Sequence, residues 1–567
     1  MTTTNKFNQN WWQSAVVYQV YPQSFKDTNR DGIGDLNGII DKIPYLKTLG
    51  VDVLWLNPIY ASPQVDNGYD ISDYYQLNPE YGTINDFKHL LQIAHDNEIK
   101  IILDLVVNHT SDQHEWFQAS RKSRDNYFSN YYIWKDPAKN GDLPNNWGAT
   151  FGGPAWTYVP ERQQYYLHSF APQQPELNWE EPKLRQSIYE MMRYWLSFGV
   201  DGFRMDVISL ISKRQDFPDA DDTLPYSKSY YAGASNGPRV HEFLQEMNRE
   251  VLSNFNTLTV GETPNTSSDQ AILYTDESRH ELNMVFNFDH MHIDYGERGK
   301  FDNKRFQLTD LKRVLTEWQN KLNDHGWNSL YWSNHDQPRA VSRFGSEVYR
   351  VESAKTLGTV LHMLKGTPYI FQGEEIGMTN AKFSALSDYK DIETKNIIDI
   401  YAKEGLSEKY IKEVAYLRSR DNARTPMPWN GTPKFAGFSD VTPWLKMNPN
   451  YQTINVESAL RDNHSVFYHY QKLIKLRHEL PVIVNGKYQL YEPDNDKIYT
   501  FTREAQDGTM LLIVASFTDQ TLWYAVPAPL REKKSWRVLI DSYEQVDQYH
   551  DDLQLSPYQS IVFIGKD

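Results

Sequence analysis

The chain has 567 residues, 40% of them hydrophobic and 23% charged, and a formal net charge of −16. The length exceeds one core of roughly 250 residues, so two or three domains are expected. The composition excludes a largely disordered chain, and the charge argues against a nucleic-acid partner, because phosphate binding needs a basic face.

At the N-terminus, Met1-Thr2-Thr3-Thr4-Asn5-Lys6 contains no apolar segment of the kind a signal peptide carries. No later run approaches the ~18 consecutive apolar residues of a membrane span. The chain has no cysteine, which fits a reducing compartment. A soluble, cytoplasmic protein with no membrane partner is expected.

Eight apolar runs read as strands: Val16 to Tyr21, Val51 to Leu56, Ile99 to Val107, Val200 to Ile208, Leu258 to Gly261, Leu282 to Phe288, Ser329 to Ser333 and Pro368 to Gln372. Helical patterns separate most of them, such as Leu184 to Phe198 with apolar Ile188, Met191, Met192, Trp195 and Leu196. Strand–helix alternation through eight units predicts an α/β fold, a closed (β/α)8 barrel, with an open doubly wound sheet as the alternative. The third connection, from His109 to about Pro182, is long and rich in Trp, Tyr, Asn, Gly and Pro, as functional insertions are. A second insertion follows the eighth strand. From Lys487 short alternating runs appear: Ile498 to Thr502, Met510 to Ser516, Leu522 to Val526, Trp536 to Ile540 and Ser560 to Phe563. The expected domains are a barrel over 1–109 and 182–485 (with an insertion at about 379–444), an inserted domain over 110–181, and a C-terminal antiparallel β-sandwich over 486–567.

Three carboxylates follow three of the strand runs: Asp206 in Gly202-Phe203-Arg204-Met205-Asp206, Glu262 in Val260-Gly261-Glu262-Thr263, and Asp336 in Asn334-His335-Asp336-Gln337. Barrel active sites are built at the carboxyl ends of strands, and two carboxyl groups facing one sugar are the machinery of glycoside hydrolysis. Arg204 and Asp206 lie two apart on one strand, hence on one face, and the cation favours an ionised, oriented carboxylate. Glu262 beside a low-dielectric wall can stay protonated and act as an acid. Polar Ser333 to Asp336 end a Trp- and Tyr-containing strand, where polar groups are costly unless used. Aromatic residues make up 14% of the chain, but most rings pack in cores. The loop Asp27-Thr28-Asn29-Arg30-Asp31-Gly32-Ile33-Gly34-Asp35 matches the first half of an EF-hand, with oxygen donors at positions one, three, five and nine, a carbonyl at seven and Gly at six. The match fails at position twelve, Gly38. A single cation, Ca²⁺ or Mg²⁺, held by fewer protein oxygens plus water is expected; no organic cofactor is implied.

Together with Asp104-Leu105-Val106-Val107-Asn108-His109, Gly261 to Pro264 and Asn334 to Arg339, these motifs resemble the α-amylase superfamily of glycoside hydrolases, closest to its oligo-1,6-glucosidase (isomaltase) and dextran glucosidase branch. The resemblance runs from Trp11 to the C-terminal β domain. It implies Asp206 as nucleophile, Glu262 as general acid/base and Asp336 as the group that grips the sugar and stabilises the transition state. It assigns substrate contacts to Asp66, Tyr69, His109, Phe170, Gln174, Arg204, Val207, Lys300, His335, Glu375 and Arg424, with Asp66 and Arg424 pairing to close the pocket. It implies Asp27, Asn29, Asp31, Ile33 (carbonyl) and Asp35 as ligands of a structural Ca²⁺. Two positions depart from the pattern: Ser333 stands where Asn is frequent, and Pro428 where Gln is.

The implied activity is an exo-acting, retaining α-glucosidase that releases glucose from short α-1,6-linked oligosaccharides, with transglucosylation open to it and the protein a monomer. Trehalose-6-phosphate hydrolase and sucrose isomerase are the alternatives. The former needs extra cations for a phosphate. Isomerases of this kind tend to carry Thr after the nucleophile and to lack Glu374-Glu375, whereas this chain has Val207 and the glutamate pair. A catalytically dead sugar-binding relative would show a broken triad or a membrane anchor, and the sequence has neither.

Overall fold

The computed structural model describes residues 10–221, 223, 228–531 and 535–566. Eight parallel strands form its centre: β1 (Val17–Val20), β2 (Val53–Leu56), β3 (Lys100–Leu105), β4 (Gly202–Met205), β5 (Leu258–Glu262), β6 (Met284–Phe286), β7 (Ser329–Leu330) and β8 (Thr367–Phe371). They are ordered β6-β5-β4-β3-β2-β1-β8-β7. A parallel bridge between Val285 and Asn328 brings β6 to β7 and closes the ring. The strands lie where the apolar runs placed them, and β1, β2, β4, β5, β6 and β8 are buried throughout. Apolar side chains on both faces are what a strand between a barrel interior and a helix ring requires.

The helices take the positions their caps dictate. Thr83 and Asp86 form a reciprocal capping box at the start of Ile84–Asp96. Pro182 opens Pro182–Ser197, whose buried stripe is the predicted Ile188, Met191, Met192, Trp195 and Leu196. The long third connection folds as a small unit with an antiparallel sheet of Trp134–Lys135, Gln164–Leu167 and Trp156–Val159. Its core, with Ile133, Trp147, Trp156 and Leu167, also takes in Val207, Leu210 and Phe217 from the loop after β4. The inserted unit is thus packed on the segment that follows Asp206. After β8 come the helices Ile392–Lys403, Glu408–Arg418 and Asp421–Arg424.

The C-terminal region is an antiparallel five-stranded sheet ordered Lys487–Tyr491, Ile498–Glu504, Thr509–Ser516, Ser560–Lys566, Arg537–Asp541. A two-stranded ribbon, Leu522–Ala525 with Asp552–Leu555, packs on it through Leu512, Val514, Tyr524, Leu553, Leu555 and Phe563. The strand Asp552–Leu555 was not anticipated, because acidic Asp551-Asp552 reads as loop. The buried Lys312 ammonium donates to the carbonyls of Glu492 (2.6 Å) and Asn495 (2.7 Å), joining the barrel to this sheet.

Candidate active site

The alternation of β4 turns Arg204 and Asp206 to the barrel interior. There Arg204, 1% exposed, serves three carboxylates. Nη1 donates to Asp104 Oδ1 (2.6 Å) and to Asp206 Oδ1 (2.7 Å), and Nη2 lies 2.8 Å from Glu262 Oε2. Asp104, from β3, also accepts from Trp55 Nε1 (2.8 Å) and Tyr69 Oη (3.1 Å). Three carboxylates around one guanidinium leave excess negative charge in a low-dielectric space. Burial pushes Asp206 up, Arg204 opposes this, and the charges of Glu262 and Asp104 add to the rise. Burial raises Asp104 to about 6 against the pull of Arg204. A cluster of this kind holds a proton to higher pH than isolated carboxylates do, which favours an acid-assisted reaction.

Val207, directly after Asp206, has φ 35° and ψ 42°. A β-branched residue in the left-handed region is strained. The turn it makes aims its N–H at Glu262 Oε2 (3.1 Å), so Glu262 is held from two sides while its neighbour's side chain stays against the inserted unit.

Asp336, beyond β7, keeps its carboxylate 33% exposed and receives Arg424 Nη2 (2.7 Å) and Arg420 Nη1 (3.3 Å). Burial acts upward on it, but His335, Arg420 and Arg424 hold it well below the usual carboxylate range. The expected pairing of Asp66 with Arg424 is not what forms. Asp66 Oδ1 meets Arg420 Nη2 (3.1 Å), and Arg424 turns to Asp336. The two arginines lie four apart on one side of the short helix Asp421–Arg424, both near the buried Asp391, which is 2.6 Å from Arg420 Nη2. That i, i+4 spacing was the signal that could have found Arg420. Burial lifts Asp66 to about 6, opposed by Arg420 and then Arg424.

Around this pair stand the other expected residues. Gln174 Nε2 donates to Asp66 Oδ2 (3.2 Å) and lies 3.3 Å from His109 Nε2. The Phe170 ring packs against His109 at 5.2 Å. Tyr69 stacks on His335 at 5.1 Å and nearly parallel, and Gln19 Nε2 meets His335 Nδ1 (2.8 Å). Burial takes His109 to about 4 and His335 to about 3, so both rings are neutral at physiological pH.

Two expected residues sit differently. Glu375 is fully buried and accepts from Tyr18 Oη (2.8 Å), Tyr45 Oη (2.6 Å) and the Gly373 N–H. Tyr18 alternates with inward-facing Gln19 on β1, so Glu375 lies between the barrel and its first helix, out of reach of a sugar. Lys300 is present near the site but is neutralised by Glu393 at 2.5 Å, a partner that sequence reasoning missed.

The loop Asp27–Asp35 folds on its own carboxylates. Asp27 accepts from the N–H of Arg30 (2.7 Å) and Gly32 (3.0 Å), while Asp35 accepts from Thr28 N (2.7 Å) and caps the helix Leu36–Leu49 through Gly38 N (2.7 Å). Asn29 Oδ1 and Asp31 Oδ1 accept from Asp31 N and Ile33 N. The donors are all oxygens on one turn, the chemistry of a hard cation site.

A closed β/α barrel with paired carboxylates at the ends of β4 and β5 and a third beyond β7 defines a glycoside hydrolase scaffold. The Alpha-amylase family, described by its catalytic domain, matches residues 19–486, and the chain belongs to it. Over 561 residues the chain is 53% identical to the oligo-1,6-glucosidase of Parageobacillus thermoglucosidasius, covering 98% of each. Among solved structures, the trehalose-6-phosphate hydrolase of Bacillus licheniformis matches with TM-score 0.93 and 48% identity over 98% of this chain and 100% of that one. The isomaltulose synthase of Klebsiella sp. LX3 matches with TM-score 0.93 and 41% identity over 98% and 99%.

Proposed function

We propose that the protein is an exo-acting, retaining α-glucosidase that removes glucose from the non-reducing end of short α-1,6-linked gluco-oligosaccharides. The observation that carries this reading is the sharing of Arg204 by Asp206 and Glu262. Retention uses two carboxyl groups about 5–5.5 Å apart, and both of these carboxylates bond the one guanidinium. Asp206 attacks the anomeric carbon as Glu262 protonates the departing oxygen; a glucosyl–Asp206 ester forms. Glu262 then takes a proton from water, and the water oxygen replaces Asp206. Asp336, kept anionic by Arg424 and Arg420, binds sugar hydroxyls and supports the developing positive charge. The buried Asp66–Arg420 pair shuts the far end of the pocket, which restricts cleavage to terminal glucose. The similarity to an oligo-1,6-glucosidase over nearly the whole chain supports the linkage.

Hydrolysis of isomaltose, isomaltotriose, panose, maltose, sucrose, trehalose and trehalose 6-phosphate tests this, with isomaltose and isomaltotriose expected far ahead. Proton NMR of the first glucose released should show the α-anomer; early β-glucose would refute the assignment of Asp206. One observation favours a phosphorylated acceptor instead. Burial lowers Lys228, and so does the like charge of nearby Lys300, with Glu393 opposing, so two lysines lie close to Glu393. Preference for trehalose 6-phosphate in the same panel is the outcome that selects that reading.

The donor set of Asp27, Asn29, Asp31, Ile33 and Asp35 supports a structural Ca²⁺ in the loop after β1. The absence of cysteine supports a cytoplasmic location, and no helix among the described residues is long and apolar enough to cross a membrane. A monomer is the assembly proposed.

A further inference from the structure

A second buried ion pair lies just behind the glucose pocket. Lys213, in the loop seven residues after Asp206, is 2% exposed, and Glu176, on the returning arm of the inserted unit, is fully buried. Their side chains are in direct contact. A buried pair of this kind is a poor source of stability, since desolvation offsets most of its attraction, so its effect on its neighbours is the more informative question.

The neighbour is Asn108. Lys213 Nζ reaches Asn108 Oδ1 at 2.6 Å, and Asn108 Nδ2 reaches Glu176 Oε1 at 2.9 Å. An ammonium only donates and a carboxylate only accepts. The pair therefore allows one orientation of the Asn108 amide, oxygen toward Lys213 and NH₂ toward Glu176. The same NH₂ lies 3.2 Å from His109 Nδ1. With a donor fixed opposite it, Nδ1 must offer its lone pair, and the ring proton must sit on Nε2. On that side Nε2 meets the carbonyl of Tyr69 at 3.1 Å, while Gln174 Nε2 spends a hydrogen on Asp66. The ring is neutral, as its burial requires, so the choice of tautomer is a real one.

We propose that Lys213 and Glu176 are positioning residues for His109: by locking the Asn108 amide they hold the ring as the Nε2–H tautomer, whose hydrogen goes to the Tyr69 carbonyl and so fixes the seat of the ring in the wall of the glucose pocket. Both residues are buried and reach the ring through Asn108. The loop after the nucleophile strand thereby sets the hydrogen-bond polarity of a ring carried on a different strand. The inference rests on the reading of this pocket as the glucose site.

A double-mutant cycle tests it. Lys213→Met keeps length and burial but frees the Asn108 amide to rotate. In the unmodified background it should raise KM for an aryl α-glucoside roughly five- to twentyfold, the range for one misdirected hydrogen bond, with kcat changed less than about threefold. In a His109→Ala background the same change should have no further effect on KM, since coupled residues are non-additive. Long-range ¹⁵N–¹H spectra of histidine-labelled protein, with His109→Ala identifying the ring, should show Nε2–H in the unmodified enzyme. If Lys213→Met does not fold, Glu176→Gln serves, because a neutral amide no longer dictates the orientation of Asn108. Asn108→Asp should convert the ring to a form protonated at Nδ1. An equal KM effect in both backgrounds, or an Nδ1–H ring in the unmodified enzyme, overturns the proposal while leaving the pocket reading intact. An unchanged KM in His109→Ala alone overturns both.

Discussion

Among the described residues the Asp206 carboxylate accepts its side-chain hydrogen bond from Arg204. Asp206→Asn keeps shape and loses the nucleophile. It should lower kcat by at least about a thousandfold with Tm little changed; near-normal turnover would remove Asp206 from the mechanism. Val207 directly follows Asp206, and its strained backbone fixes a branched side chain that, on the proposed function, forms the wall beside the cleaved bond. The acceptor of an α-1,6 link is carried on an extra CH₂ and can swing clear of that wall, while an α-1,4 acceptor is held closer. Such discrimination is worth about 10–200-fold in kcat/KM. Val207→Ala or Val207→Thr should raise maltose relative to isomaltose, and equal kcat/KM on the two sugars in the unmodified enzyme would defeat the argument. Asp66 gives a pH signature. With its pKa raised to about 6, it loses its charge, and its bond to Arg420 weakens, as pH falls through 6. KM should climb on that limb, and Asp66→Asn should abolish the dependence while raising KM throughout.

At the scale of elements, the end of β7 and the turn after β8 are joined through a buried acid. Ser333 Oγ donates to Glu374 Oε2 (2.8 Å) and Tyr470 Oη to Oε1 (3.0 Å). Burial, opposed by those two hydrogen bonds, raises Glu374 to about 7. A group whose folded pKa lies above its unfolded value binds its proton more tightly when folded. Its stabilising contribution is complete below the unfolded pKa and is lost as pH rises through 7, an effect of up to about 3 kcal/mol. The Tm of Glu374→Gln should therefore gain on that of the unmodified protein between pH 4.5 and pH 8; a constant difference would contradict it. Ser333 thus ties the end of β7 to Glu374.

The same scale shows what could be read from the chain. Strands were legible because parallel barrel strands are apolar on both faces, and the position of the three candidate carboxylates because they end such runs. Arg204 was legible as a partner of Asp206 from the period of two. Its bond to Glu262 was not, because that depends on the register of β4 against β5. Arg420 carried a signal in its four-residue spacing from Arg424, whereas Glu393 carried none, because nothing in the sequence after β8 says which side chains turn inward. Glu375 was misplaced because adjacent residues on a short 3-10 turn face opposite ways, and sequence order does not say which way.

At the scale of the molecule, the barrel and the C-terminal sheet are held together by cations buried against carbonyls. Arg503 donates to Met363 O (2.7 Å) and Gly486 O (2.6 Å), and Lys312 does the same for the loop after Tyr491. Lys312→Met should leave carbonyls unpaired and lower Tm by several degrees with kcat/KM unchanged; lost activity at full Tm would contradict a purely structural role. If the loop Asp27–Asp35 holds Ca²⁺, chelation should lower Tm and reduce activity only where the protein unfolds, and unchanged Tm on complete stripping would dismiss the ion.

The Asp66–Arg420 bond has a kinetic consequence for polymeric substrates. A glucose unit seated against a shut wall cannot slide onward after its bond is cut; the shortened chain must leave entirely and a new chain end must enter. Each encounter then removes one residue. Dextran solutions should keep their viscosity while free glucose accumulates, and isomaltotriose should yield isomaltose and glucose in equal amounts in the first moments of the reaction.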